Sequence, residues 1–476
     1  MQLRYLSLVL LLVTQFVYSQ NKDLNLPDLG DRISGVISLE QEKMLGKGFL
    51  EQVYSQAPLI NDPMIQEYIE LLVYRLSETS QVKDREFTIV LIDEKSLNAF
   101  AAPGGVMGVN GGLFLNAKNE AQLSSVLSHE LAHLSQRHFA RNVLRGKDTS
   151  LASSLVMVSA IALAIVSNNP QAFIVGPAAL AQQQLRYSRI FEREADRYGF
   201  NNLIAAGYDP SSMGQMFENM ARIRRLAGDN PPEFLLTHPV TSSRISDAFN
   251  AADQIEFTGG KKNTINFEFI KGKLKARYIS TTPQGSIRYF KKLYEDNPNN
   301  ENKYSYISAL KLNGLYNEAL FLIEELLQKY PKNLILNITK SEIYLAAQEL
   351  NLAEAQIEKV LNISPENYPA SIVQANILSS KKEGIKAEEI LRNLLIKKNR
   401  DPALWMKLSE IQRSGKNIVG YHLSRGEYYL LLGDFENALN QFQFALKISG
   451  NSFQTTETIM TKINFAQERL KNKRGF

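Results

Sequence analysis

Four X–Pro steps punctuate the second half of the chain, Asn297-Pro298, Tyr330-Pro331, Ser364-Pro365 and Asp401-Pro402, separated by 33, 34 and 37 residues. Proline cannot continue a helix and pushes the residue before it out of the helical region, so each step closes one helix and opens the next. Between the steps lie paired amphipathic segments with turn residues at Gly314-Leu315-Tyr316, Leu350-Asn351-Leu352, Gly384 and Gly433-Asp434-Phe435. A small residue follows each turn, Ala319, Ala355, Ala387 and Ala438, where two helices can approach closely. One such helix pair cannot bury its own apolar face, so a period near 34 predicts stacked pairs, an α-solenoid of tetratricopeptide-like repeats over residues 283–470. The spacing drifts between Gly415 and Tyr421, which makes the repeats divergent. Their concave, basic face is predicted to bind protein partners.

At 476 residues the chain is too long for one ordinary core. The solenoid leaves residues 20–260 for a second domain, with 261–282 as a linker. Ile65, Tyr68, Ile69, Leu72 and Leu76 recur at helical spacing, and Phe87 to Ile92 is a β-branched run that predicts a strand. Gly105 to Leu115 reads as a further extended stretch, expected to lie as an edge strand beside the next helix. Met107, Gly108 and Val109 would then offer backbone groups to an extended peptide substrate. Asn116 or Asn119 is placed to cap that next helix, whose Leu123, Val126, Leu127, Leu131 and Leu134 form a wide apolar stripe. The fold class is therefore α+β, predominantly α-helical, with one small sheet.

Arg4, the apolar run Tyr5–Val17 and the small residue at Ser19 form an export signal over residues 1–19, with cleavage after Ser19. Export normally invites disulfides, yet the chain has no cysteine, so any metal must be held by His, Asp or Glu, and only five histidines exist. Residues 151–181 hold two apolar arms separated by Asn168-Asn169-Pro170, a hairpin either buried in the core or lying in a membrane interface. The net charge of +5 hides an asymmetry, with 32 Lys/Arg against 22 Asp/Glu from residue 261 onward. No nucleic-acid module accompanies that basic half, and an exported chain does not meet nucleic acid.

The chemistry is carried by His129-Glu130-Leu131-Ala132-His133. Residues four apart on a helix are rotated by about 400°, so both imidazoles reach one ion, and Glu130 projects beside it as a general base. A catalytic zinc site takes three protein ligands and keeps a position open. In Phe191-Glu192-Arg193-Glu194-Ala195-Asp196, Glu192 and Asp196 share a helix face while Glu194 is turned away. Glu192 is the predicted third ligand, and Asp196 the predicted acceptor for the outer N–H of a ligand histidine. The same rotation argument turns His138, nine residues after His129, away from the metal and leaves it a structural or surface role. His422 falls among the repeats and is given no chemistry.

Asn98-Ala99-Phe100-Ala101, Pro103-Gly104-Gly105, His129–His133 with Gln136-Arg137-His138, Glu192-x-Glu194-Ala195-Asp196 and Thr237-His238-Pro239 with Arg244 together resemble the zinc endopeptidases related to the CAAX prenyl protease. Within them the chain is similar to the periplasmic, BepA-like members that join the peptidase to tetratricopeptide repeats. The resemblance implies a zincin-type metallopeptidase domain binding one Zn2+ through His129, His133 and Glu192, with Glu130 as the base and Asp196 in support. It implies that His238 approaches the zinc from a loop and holds the site closed, that Arg244 lies by the cleft, and that 151–181 lies against the membrane. It further implies a Gram-negative periplasmic enzyme acting on unfolded or misassembled envelope proteins, with outer-membrane assembly components as partners. The alternative activity is that of a mostly latent protease serving as chaperone or adaptor.

Overall fold

The computed structural model describes residues 37–145, 189–228, 232–256, 260–279, 282–450 and 452–474. The expected leader at 1–19 and the whole segment from 146 to 188, including the apolar hairpin at 151–181, lie outside them.

Helix α1 (Leu39–Gln56) begins at a reciprocal cap in which Ser38 accepts from the Gln41 N–H and the Gln41 side chain accepts from the Ser38 N–H. Helix α2 (Pro63–Glu78) starts where Asp62 accepts from the N–H groups of Met64 and Ile65, with Pro63 at a position whose missing N–H costs nothing. Three short strands follow, β1 (Thr88–Ile92), β2 (Ala99–Ala102) and β3 (Val106–Asn110). Strand β3 runs parallel to β1 and antiparallel to β2, giving the order β1-β3-β2.

This order overturns the expectation for Met107, Gly108 and Val109. They lie in the middle strand, buried throughout and paired on both sides, and have no free edge for a peptide. The sheet edge toward the following helices belongs to β2, which has one strand partner among the described residues. Gly108 is required in β3 because the Phe100 ring of β2 lies across it, within 1.9 Å of where a Cβ would stand. The extended stretch also ends sooner than its sequence suggests, since Gly111–Asn116 forms a short helix, α3.

Helix α4 (Glu120–Ser135) is capped by Asn119, which accepts from the Gln122 N–H, and every residue from Glu120 to His133 is buried. Glu120 anchors its first turn: it accepts from Tyr208 at 2.8 Å and Tyr68 at 2.8 Å, and Lys261 stands 3.1 Å away. Helix α5 (His138–Arg145) follows at once, and α6 (Arg189–Ala205) packs across α4. Gly199 makes that crossing close, since a Cβ there would stand 3.0 Å from the His129 backbone. Helices α7 (Ser211–Ala227), α8 (Glu233–Thr237) and α9 (Ser242–Asp253) complete the outer layer. Residues expected to be a linker instead form α10 (Ile265–Tyr278), whose Phe267, Phe269, Ile270 and Leu274 are fully buried in the core shared with the repeats.

Eleven helices follow among the described residues, α11 (Pro283–Asp296), α12 (Asn300–Leu312), α13 (Tyr316–Lys329), α14 (Leu334–Ala346), α15 (Leu350–Ile363), α16 (Tyr368–Ser380), α17 (Gly384–Lys397), α18 (Pro402–Ser414), α19 (Ile418–Leu431), α20 (Phe435–Ile448) and α21 (Phe453–Arg474). They pack in consecutive pairs. Left-handed turn residues fall at Gly314, Gln348, Lys382 and Lys416, an unbroken 34-residue step. The buried small residue after the second of these turns is Ala353, in register with Ala319 and Ala387, and the Ala355 of the sequence alignment is exposed. The repeats curl back onto the first two helices: α16 packs on α2, Glu67 accepts from the Tyr368 N–H at 3.2 Å, Lys398 pairs with Glu70 at 2.5 Å, and Arg469 pairs with Glu51 at 2.6 Å.

Candidate metal centre

Four buried side chains from three elements converge behind the sheet. His129 and His133 come from α4, Glu192 from α6, and His238 from the loop that ends α8. Their ligand atoms all lie within 4.8 Å of one another, so they could hold a metal ion. The His129 and His133 Nε2 atoms are 3.0 Å apart, Glu192 Oε1 is 3.5 Å from His133 Nε2, and Glu192 Oε2 is 3.6 Å from His129 Nε2. His238 Nδ1 stands 3.0 Å from Glu192 Oε1 and 3.5 Å from His129 Nε2. Three imidazole nitrogens and one carboxylate oxygen, gathered in a buried cluster and without a thiolate, form a donor set suited to a divalent transition ion, zinc included.

The surrounding groups orient this set. Asp196 Oδ1 is 3.1 Å from His129 Nδ1, the nitrogen that faces away from the cluster. Arg244 clamps Asp196 with two parallel bonds of 2.6 and 2.7 Å, reaches Glu192 Oε2 at 2.8 Å, and donates to the Pro239 carbonyl at 2.9 Å, tying the His238 loop to α6. The Phe234 ring stacks on His238 at 4.8 Å.

Electrostatics divide the carboxylates by role. Burial pushes Glu192 up, but His238, His129 and Arg244 outweigh it and hold it well below the usual carboxylate range. Asp196 is likewise lowered, burial being overcome by Arg244 and His129. Glu130 goes the other way: burial raises it, and the nearby histidines and the Ala101 backbone of β2 only partly pull it back. His238 Nε2 lies 3.8 Å from Glu130 Oε1, and Glu130 is 1% exposed. A carboxyl of raised affinity for protons, beside a cluster of metal ligands and next to a strand edge, is equipped to accept and return a proton.

His138 is where helical-wheel reasoning fails. The wheel assumes one continuous helix, but α4 stops at Ser135 and Arg137 adopts a left-handed φ of 50°. That turn, held by the Arg137 bond to the Ile37 carbonyl at 2.7 Å, folds His138 back so that its Nδ1 lies 2.8 Å from His133 Nδ1. His138 is fully buried, stacks on Phe191 at 4.5 Å, and meets Glu194 Oε2 at 3.3 Å through Nε2. Burial lowers its pKa to about 4. Glu194 faces away from the four-residue cluster and pairs with Arg141 at 2.9 Å. His422 is remote from the centre and bonds Gln441 within the repeats.

Residues 63–252 match the model of peptidase family M48. Over 463 residues, 94% of this chain and 92% of the other, the sequence is 28% identical to the beta-barrel assembly-enhancing protease of Escherichia coli K12. It is 29% identical over 394 residues to the protein of that name from Yersinia pestis, covering 81% of this chain and 80% of the other. The mitochondrial metalloendopeptidase OMA1 of Schizosaccharomyces pombe matches at 29% over 215 residues, 44% of this chain and 60% of its own.

Proposed function

We propose that this metalloendopeptidase, whose residues 63–252 match the model of peptidase family M48, uses zinc to hydrolyse peptide bonds of misfolded or misassembled envelope proteins. The convergence of His129, His133, Glu192 and His238 into one buried cluster with Glu130 beside it carries the reading. His129, His133 and Glu192 would hold the ion, and His238, whose Nδ1 stands 3.0 Å from Glu192 Oε1, would compete with water for it. Bound there, zinc would acidify a water and polarise the scissile carbonyl. Glu130 takes the proton from the attacking water on a carboxylate oxygen and returns it to the departing amine. Asp196 accepts from His129 Nδ1 and fixes its tautomer, and Arg244 offsets part of the charge of the two carboxylates it bridges. A substrate strand adds to the edge of β2 that has no strand partner among the described residues, whose Ala101 backbone adjoins Glu130, and backbone pairing suits an enzyme that must accept varied sequences.

The compartment is the periplasm, and the repeats recruit outer-membrane assembly components or their clients; the name of the bacterial relatives, beta-barrel assembly-enhancing protease, supports the link to assembly. No helix among the described residues is long and apolar enough to cross a membrane. The position of His238 favours a second reading, in which proteolysis is mostly latent and the molecule serves as chaperone or adaptor through its repeats. Metal analysis with casein digestion of the wild type and Glu130→Gln tests the first. Glu130→Gln should keep one zinc per chain and lose cleavage by about 10²–10⁴-fold; unchanged cleavage would remove Glu130 from the mechanism. Equal suppression of client aggregation by the wild type and by Glu130→Gln would favour the second.

A further inference from the structure

Two imidazole nitrogens 2.8 Å apart, His133 Nδ1 and His138 Nδ1, share one proton: with a hydrogen on both they would collide, and with none they would repel. The proton can be assigned. His133 turns Nε2 toward the cluster, 3.0 Å from His129 Nε2 and 3.5 Å from Glu192 Oε1, so the lone pair it gives to a metal is on Nε2. Neutral His133 then carries its hydrogen on Nδ1 and donates it, and His138 Nδ1 is the acceptor. His138 in turn must carry its own hydrogen on Nε2, which faces Glu194 Oε2 at 3.3 Å. Glu194 Oε2 pairs with Arg141 at 2.9 Å.

We infer that His138 and Glu194 are positioning residues for the metal site, a relay from Glu194 through His138 to His133 that fixes which nitrogen of His133 faces the ion. The inference rests on the ligand set proposed above. It gives the two ligand histidines of α4 different supports: His129 leans on a carboxylate directly, through Asp196, while His133 leans on one through an intervening ring. The relay is rigid. His138 is fully buried, its plane is held against Phe191 at an interplanar angle of 17°, and Arg141 covers the other partner, standing 4.6 Å from the Phe191 ring centre. A residue present only to fill space against Phe191 has no need of an acceptor nitrogen aimed at His133 or of a donor aimed at Glu194.

The test is metal affinity by chelator competition on the full chain, with the visible absorption of the cobalt-loaded protein as a second readout. His138→Phe keeps the ring and its stack but removes the acceptor, and should weaken metal binding about 10–100-fold and alter the cobalt bands. His138→Asn, whose amide oxygen can stand where Nδ1 stands, should recover most of that loss. A folded His138→Phe with wild-type affinity and spectrum, or a His138→Asn as weak as His138→Phe, overturns the relay. Should His138→Phe fail to fold, Glu194→Ala decides: weakened metal binding supports the relay, and unchanged affinity overturns it. His133→Ala separates the two levels of argument, because if it keeps its metal at wild-type affinity the ligand set itself has failed.

Discussion

Replacing Arg244 with methionine keeps most of the side chain's bulk and removes a buried charge that bridges Asp196 and Glu192, leaving His129 as the other group between them. The guanidinium is 6% exposed and makes two bonds to Asp196, one to Glu192 and one to the Pro239 carbonyl. Breaking a buried, hydrogen-bonded pair by deleting one partner costs about 3–5 kcal/mol, because the remaining charge is left without compensation. At roughly 2–4 °C per kcal/mol for a unit of this size, the melting temperature of the EDTA-stripped protein should fall by about 6–20 °C at pH 7. The pH dependence has a definite sign. Both carboxylates are lowered in the folded protein against the pull of burial, so their stabilising contribution is complete above their unfolded values, about 3.9 and 4.3, and fades as the pH falls through the folded ones. The deficit of Arg244→Met should therefore be widest above about pH 5 and close toward acid. Added zinc should narrow it at neutral pH, since the cation restores part of the missing positive charge. Circular-dichroism melts of both proteins across pH 4–7.5 measure this, and a loss below about 2 °C at pH 7, or one that does not shrink on acidification, would refute the reasoning.

His238→Ala should raise basal casein cleavage and self-cleavage severalfold while zinc occupancy holds, and basal rates equal to wild type would leave the loop without a gating role. Gly199→Ala places a Cβ 3.0 Å from the His129 backbone, so α6 must retreat from α4 at a cost of about 1–3 kcal/mol; weaker zinc binding in chelator competition is expected, and unchanged affinity and melting would contradict the close crossing. Lys416→Gly relieves a φ of 62° in an exposed turn and should stabilise the repeats by about 0.5–1 kcal/mol, read as a higher urea midpoint; a lower midpoint would refute the strain.

What the sequence disclosed was local. His129 and His133 share one helix, and the geometry of four residues on a helix does not depend on what lies around it. The same holds for Glu192 and Asp196 on α6. His238 and Arg244 have no such spacing relation to α4, since they arrive by tertiary folding of a loop and a separate helix, and only a resemblance could point to them. His138 stays outside the four-residue cluster, as its offset from His129 implies, but a wheel cannot foresee that a left-handed Arg137 folds it against the back of His133; the polar pair Gln136-Arg137 after an apolar stripe is the available hint of a helix end. The order of the strands is equally non-local, although Val106-Met107-Gly108-Val109 lacks the polar alternation of an edge and reads, in hindsight, as a strand buried on both faces. In the repeats the 34-residue step runs through turns held by Gln348, Lys382 and Lys416 as well as Gly314, so X–Pro and glycine positions alone show it only as an uneven spacing.

The bond between Glu51 and Arg469 joins residues 418 positions apart, and those of Glu67 to Asn367 and Tyr368 span 300 or more. A contact of that span is among the last a growing chain can make, since the entropy of closing so long a loop must be met before the contact returns anything. During synthesis α1 and α2 can pack on the sheet and on their neighbours in the peptidase part, but their outer braces come late, those of α2 with residues 367–398 and the Glu51 bond of α1 only with residue 469. The last brace of the peptidase part is in this way timed by the emergence of its own repeats, and a ribosome that stalls within them leaves these two helices without it.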